Sequence, residues 1–89
     1  MNHFEVRLSK DAQKSLIKIN ESLPAIGRKL MRVLDSLQTH PLAGMKLAGA
    51  DGEVRRIRVG DYRVVYEVFR KEILILVVYI GPRGGAYRQ

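Results

Sequence analysis

The chain has 89 residues, no cysteine and no tryptophan, and 16 Lys and Arg against 9 Asp and Glu give it a formal net charge of +7. That length suits one modest core, so residues 1–89 are expected to form a single domain, and the missing thiols exclude a disulfide framework and a thiolate metal site. No apolar run reaches spanning length and the start has no secretory layout, so the expectation is a cytoplasmic protein without membrane contact, whose charge points to nucleic acid or an acidic partner.

Phe4, Val6 and Leu8 alternate with His3, Glu5 and Arg7, which predicts a short half-buried strand over residues 3–8. Ser9 then suits an N-cap, with Asp11 in the first turn, and Ala12, Leu16, Ile19 and Leu23 form one apolar stripe. Lys10, Lys14 and Lys18 recur every fourth residue and read as the solvated flank of that helix. Pro24 breaks it and opens a second helix, whose stripe is Ile26, Leu30, Val33, Leu34 and Leu37. Gly27 inside this stripe lets the two helices approach closely, as an antiparallel hairpin. His40-Pro41 ends the pair, and a loop through Gly44, Gly49 and Gly52 follows. Neither His40, at a helix end, nor His3, at the terminus, is a catalytic candidate.

The stretch GEVRRIRVGDYRVVY carries most of the concentrated positive charge: residues 1–51 hold five lysines and three arginines, residues 52–89 seven arginines and one lysine. Two runs rich in Val, Ile, Tyr and Phe, 54–59 and 62–69, flank Gly60-Asp61, the pattern of a hairpin with a two-residue loop. Such a loop sets Val59 opposite Tyr62, Arg58 opposite Arg63 and Arg56 opposite Val65, so three arginines share one face. Ile57, Val59, Tyr62, Val64, Tyr66 and Val68 make the other face, which must be core. Like charges directly across a strand pair cost about 0.2–1 kcal/mol. Glu67 on the same face partly offsets them, yet three planar guanidinium forks match phosphate in a way that lysine would not, so the face reads as an anion site.

Residues 73–80, ILILVVYI, are apolar on both faces and read as the central strand, entered by a tight turn at Arg70-Lys71. A two-residue turn there would place Val78 opposite Arg63 and floor the arginine face with Val65, Leu74, Leu76 and Val78. The tail GPRGGAYR can fold back and bring Arg83 and Tyr87 to the same rim. Glu53 and Asp61 are isolated carboxylates, explained by local charge balance and by the turn respectively, so neither a metal site nor a cofactor is expected. The expected fold class is α+β: an N-terminal strand, an antiparallel two-helix hairpin, then an antiparallel three-stranded meander packed on the helices.

In that order and spacing, HPLAGMKLAG, GEVRRIRVGDYRVVYEV and VVYIGPRGGAY resemble the RelE/ParE toxin superfamily of toxin–antitoxin pairs over nearly the whole chain, in its RelE-like, microbial ribonuclease-like form. One branch cleaves messenger RNA in the ribosomal A site and the other poisons DNA gyrase, a choice the fold alone does not make. The resemblance implies that Arg56 and Arg58 fill the basic pair of the second strand, Arg63 the arginine of the GYR-like motif, Arg83 the arginine after the last strand, and Tyr87 the C-terminal tyrosine. These five are the candidate catalytic residues of a metal-independent endoribonuclease, with Lys46, Arg55 and Arg88 as further RNA-binding positions. The implied partners are an acidic antitoxin, messenger RNA in the A site and the small ribosomal subunit. The chain reads IGPR where many members read IGHR, and Pro82 has no ring nitrogen to move a proton. A gyrase inhibitor and a catalytically silent RNA- or ribosome-binding member are the alternatives.

Overall fold

The structure is a computed structural model that describes residues 3–49 and 52–82. Its elements run β1 (Glu5–Leu8), α1 (Lys10–Ser22), α2 (Pro24–Ser36), β2 (Met45–Lys46), β3 (Val54–Val59), β4 (Tyr62–Phe69) and β5 (Leu74–Pro82). The helices are those the apolar stripes predict. Ser9 caps α1, its Oγ accepting from the Ala12 N–H at 3.1 Å. Proline at position 24 disfavours helical geometry for Leu23, which adopts φ −137° and ψ 70° and separates the helices. Leu23 is therefore 44% exposed rather than part of the α1 stripe. A Cβ at Gly27 would run into the Asn20 side chain, so the glycine does permit the close approach of α1 and α2.

The strands form one sheet in the order β1-β5-β4-β3-β2. The class is the α+β one expected, with two differences of arrangement. The expected loop after α2 contains the two-residue edge strand β2, which pairs with Arg55 and Arg56 of β3, so the sheet has five strands among the described residues. The long apolar strand β5 is interior, between β4 and a parallel β1, but the middle place belongs to β4.

Both helices cover one face of the sheet. Ala12, Leu16 and Ile19 of α1 and Leu30 and Leu34 of α2, with Leu37, enclose Val59, Val64, Tyr66, Val68, Ile75, Val77 and Ile80. Truncating one of the fully buried leucines, Leu30 or Leu37, would cost about 2–5 kcal/mol. Among the described residues the other face carries no helix.

The β3–β4 hairpin has the register its two-residue loop dictates, with Val59 opposite Tyr62, Arg58 opposite Arg63 and Arg56 opposite Val65. Gly60 takes the positive φ of 61° that this turn requires. The β4–β5 register is not the expected one. Phe69 pairs with Leu74, so the turn holds Arg70 to Ile73, and Ile73 itself sits at φ 52°, which no β-branched residue advertises in sequence. This shift of two residues keeps Leu74 and Leu76 on the arginine face. A β-bulge then follows: Tyr66 pairs with Val77 but Val65 with Tyr79, leaving Val78 as the extra residue. Gly81, not Val78, therefore lies opposite Arg63, and the strand continues through Pro82.

Candidate functional site

The sheet face opposite the helices brings Arg56 and Arg58 of β3 together with Arg63 of β4. Arg58 is exposed, while Arg56 and Arg63 are half-buried. Among the described residues no carboxylate pairs with any of them, although Glu67 shares the face. Arg56 directs Nη2 at the Met45 sulfur, 3.4 Å away, a weak acceptor. The Nε of Arg63 is buried with no hydrogen-bond partner among the described residues. Leaving such a donor unmade costs about 1–3 kcal/mol, and an anionic oxygen drawn to this face would satisfy it. Beside these groups, a cavity of about 400 Å³ is lined by Ala43, Met45, Arg56, Ile57 and Arg58.

Arg55 was expected to bind RNA, but the structure places it elsewhere. It lies opposite Tyr66, on the face away from Arg56 and Arg58. Its Nε donates to Glu53 at 3.0 Å and its Nη1 to the carbonyls of Gly44 at 2.7 Å and Leu42 at 3.2 Å. Glu53 serves the local charge balance expected of it, since Arg70 grips it from the other side at 2.7 Å. The Arg70 guanidinium, assisted by Arg55, holds the Glu53 carboxyl down to about 2 against the opposing effect of burial. Strand parity alone separates Arg55 from Arg56, so the signal for this placement was present in the sequence.

The Arg55 anchor continues into Tyr66, whose fully buried hydroxyl accepts from the Gly44 N–H and donates to the Pro41 carbonyl, each at 2.9 Å. Burial pushes this hydroxyl above its ordinary pKa, so it remains a donor. The loop from Pro41 to Gly44, which carries the Ala43 wall of the cavity, is thus pinned from the core. Lys46 is exposed on the edge strand opposite Arg55, again not on the arginine face. Arg83, Tyr87 and Arg88 lie outside the described residues.

The residue that sequence reasoning missed is Tyr79. The bulge at Val78 puts it across from Val65, on the arginine face, and its ring lies where a Cβ on Gly81 would stand. Both faces of β5 are apolar, so periodicity carried no signal for this. Among the described residues no group of His, Asp and Glu could hold a metal, and both His3 and His40 are exposed. No described helix is long and apolar enough to cross a membrane.

Among the described residues this small α+β domain gathers three arginines without a paired carboxylate on one face of its sheet, a chemistry suited to phosphate or carboxylate groups. The chain belongs to the ParE toxin family of type II toxin–antitoxin systems, whose model matches residues 6–87. Within the RelE/ParE superfamily it stands close to RelE toxins. It is 30% identical over 89 residues to RelE1 of Methanocaldococcus jannaschii, assigned as a toxin, covering 93% of this chain and 98% of that protein. The crystal structure of the archaeal RelE–RelB complex from Pyrococcus horikoshii superposes with a TM-score of 0.77 at 33% identity, covering 94% of this chain and 99% of that one. Isolated Escherichia coli RelE shares the fold, with a TM-score of 0.72 at 21% identity over 97% of this chain and 87% of that one. The protein is the toxin of a type II toxin–antitoxin system, and the RelE-like reading is favoured over the gyrase-directed one.

Proposed function

We propose that this toxin is a metal-independent endoribonuclease that cuts messenger RNA in the ribosomal A site and so stops translation. The observation that carries the reading is the cluster of Arg56, Arg58 and Arg63, which has no counter-ion among the described residues and includes one buried donor unmade there. In the proposed reaction the ribose 2′-oxygen attacks the adjacent phosphorus and the 5′-oxygen leaves with a proton, giving a 2′,3′-cyclic phosphate and a new 5′-hydroxyl. Negative charge grows on the phosphoryl oxygens in the transition state. Fixed guanidinium donors stabilise that charge, and removing one preorganised donor of this kind costs about 10²–10³ in rate.

Arg63 and, by the resemblance of the IGPR motif, Arg83 are assigned to the scissile phosphate. Arg56 and Arg58 bind the flanking phosphate and assist proton transfer. Tyr87 stacks a base or protonates the leaving oxygen. Lys46 and Arg88 make peripheral RNA contacts, whereas Arg55 is withdrawn to a structural role by its bonds to Glu53 and the loop carbonyls. The Pyrococcus RelE was solved with RelB. By the same logic this +7 chain is held inactive in the cytoplasm by an acidic antitoxin that lays carboxylates along the arginine rim. Inducing the toxin alone and mapping RNA ends tests the reading: new ends within translated regions are expected. Intact messages with gyrase-linked DNA breaks would overturn it in favour of the gyrase-directed alternative.

A further inference from the structure

Tyr79 is placed by a backbone irregularity rather than by its position in an alternating strand. Without the extra residue at Val78, the β4–β5 register would send Tyr79 to the helix-covered face. The bulge is tied to the start of α1: the Ser9 N–H donates to the Val77 carbonyl at 2.8 Å and the Ser9 hydroxyl to the Val78 carbonyl at 3.3 Å. The N-cap of the first helix thereby fixes which face an aromatic ring of the last strand occupies. That ring lies along Gly81, the residue directly across from Arg63, and the absence of a Cβ at Gly81 is what makes room for it. Tyr79 remains partly exposed there.

A phosphate and an aromatic platform side by side are the two contacts a single-stranded nucleotide needs. Same-face neighbours along a strand stand about 7 Å apart, comparable with the reach from a backbone phosphate to its own base. Bases stack on aromatic side chains whatever their identity, and sequence-tolerant single-strand binding is built from this stacking plus a positive groove. We propose that Tyr79 is a substrate-binding residue that stacks an RNA base next to the phosphate held by Arg63. This deepens the ribonuclease reading, on which it rests, by naming a second aromatic contact on the rigid sheet. The competing role is packing: Val65, across from Tyr79, is fully buried, and any apolar side chain at position 79 could cover it.

Two measurements on the full chain separate these roles. The first is cleavage on ribosomes programmed with messenger RNA. Tyr79→Phe should match the parent, while Tyr79→Leu, which keeps apolar cover without a π-face, should lose about 10- to 100-fold in kcat/KM with an unchanged melting temperature. The second is binding of a short single-stranded RNA with hydrogen in place of the scissile 2′-hydroxyl, compared with the same RNA made abasic at each nucleotide beside that phosphate. The parent should prefer the base-bearing form by about tenfold at one position, and Tyr79→Leu should show no preference. Parental cleavage by Tyr79→Leu, or no preference in the parent itself, overturns the proposal. The latter needs no variant to fold. A parent that does not cleave on ribosomes but keeps a preference that Tyr79→Leu abolishes would overturn the ribonuclease reading and support the stacking role.

Discussion

Arg55 and Arg56 are adjacent in sequence and stand on opposite faces of β3, and the difference between them runs through the whole molecule. Arg55, with Arg70, is spent on Glu53 and on the loop that borders the cavity. Arg56, Arg58 and Arg63 have no carboxylate among the described residues, and Arg58 and Arg63 directly oppose each other. One set has its charge neutralised and contributes to folding. The other keeps its charge at some cost to folding, which is the pattern of a site built for an external anion.

The widest separation between the two sets is expected at Arg63. Arg63→Ala should reduce cleavage by about 10²–10³-fold, measured as RNA ends formed per minute on programmed ribosomes. Its thermal stability should be unchanged or slightly raised, because an unmade buried donor and a like-charge neighbour are both removed. Glu53→Gln acts on the opposite set. It leaves the 16%-exposed Arg55 short of its counter-charge and should destabilise the fold by about 1–3 kcal/mol in urea unfolding, with cleavage by the folded fraction retained. Its pH dependence has a defined sign. Because the Glu53 carboxyl is lowered from 4.5 to about 2 in the fold, its contribution is fully present above pH 4.5 and lost as pH falls toward 2. The parent and Glu53→Gln should therefore converge in stability within that window, and a gap that stays constant down to pH 2 would contradict the assignment.

A smaller effect is expected at Tyr66→Phe, which removes the acceptor of the Gly44 N–H and the donor to Pro41. The cost should be about 1–2 kcal/mol, with faster amide exchange at Gly44 as the local signature. Smallest of all is Lys10→Ala on the exposed flank of α1, where stability should change by less than about 0.5 kcal/mol and cleavage should not change.

The parts of this fold legible in the sequence are those governed by short-range rules. The Gly60-Asp61 loop sets the arginine register, Ser9 and Pro24 set the helix starts, and the two apolar stripes set which helix faces are buried. What escaped depends on choices that leave no local trace. Arg70 to Ile73 makes a four-residue turn without a glycine, Ile73 takes a positive φ, and the bulge falls inside a run that is apolar on both faces. The bulge moved Tyr79 into the candidate site and Val78 out of its floor. Arg55 is a different case, since strand parity separates it from Arg56 and only the attraction of a basic run grouped them. The two-residue β2 is too short for periodicity to register.

The central claim is that the unneutralised arginines act on RNA while the neutralised ones hold the fold. Its most direct test is a paired measurement of melting temperature and ribosome-programmed cleavage on the same preparations of Arg63→Ala and Arg55→Ala. Arg63→Ala should melt at or slightly above the parental temperature and cleave about 10²–10³-fold more slowly. Arg55→Ala should melt lower and cleave at the parental rate at temperatures where it is folded. A folded Arg63→Ala that cleaves at the parental rate, or activity that follows melting temperature in both variants, would contradict it.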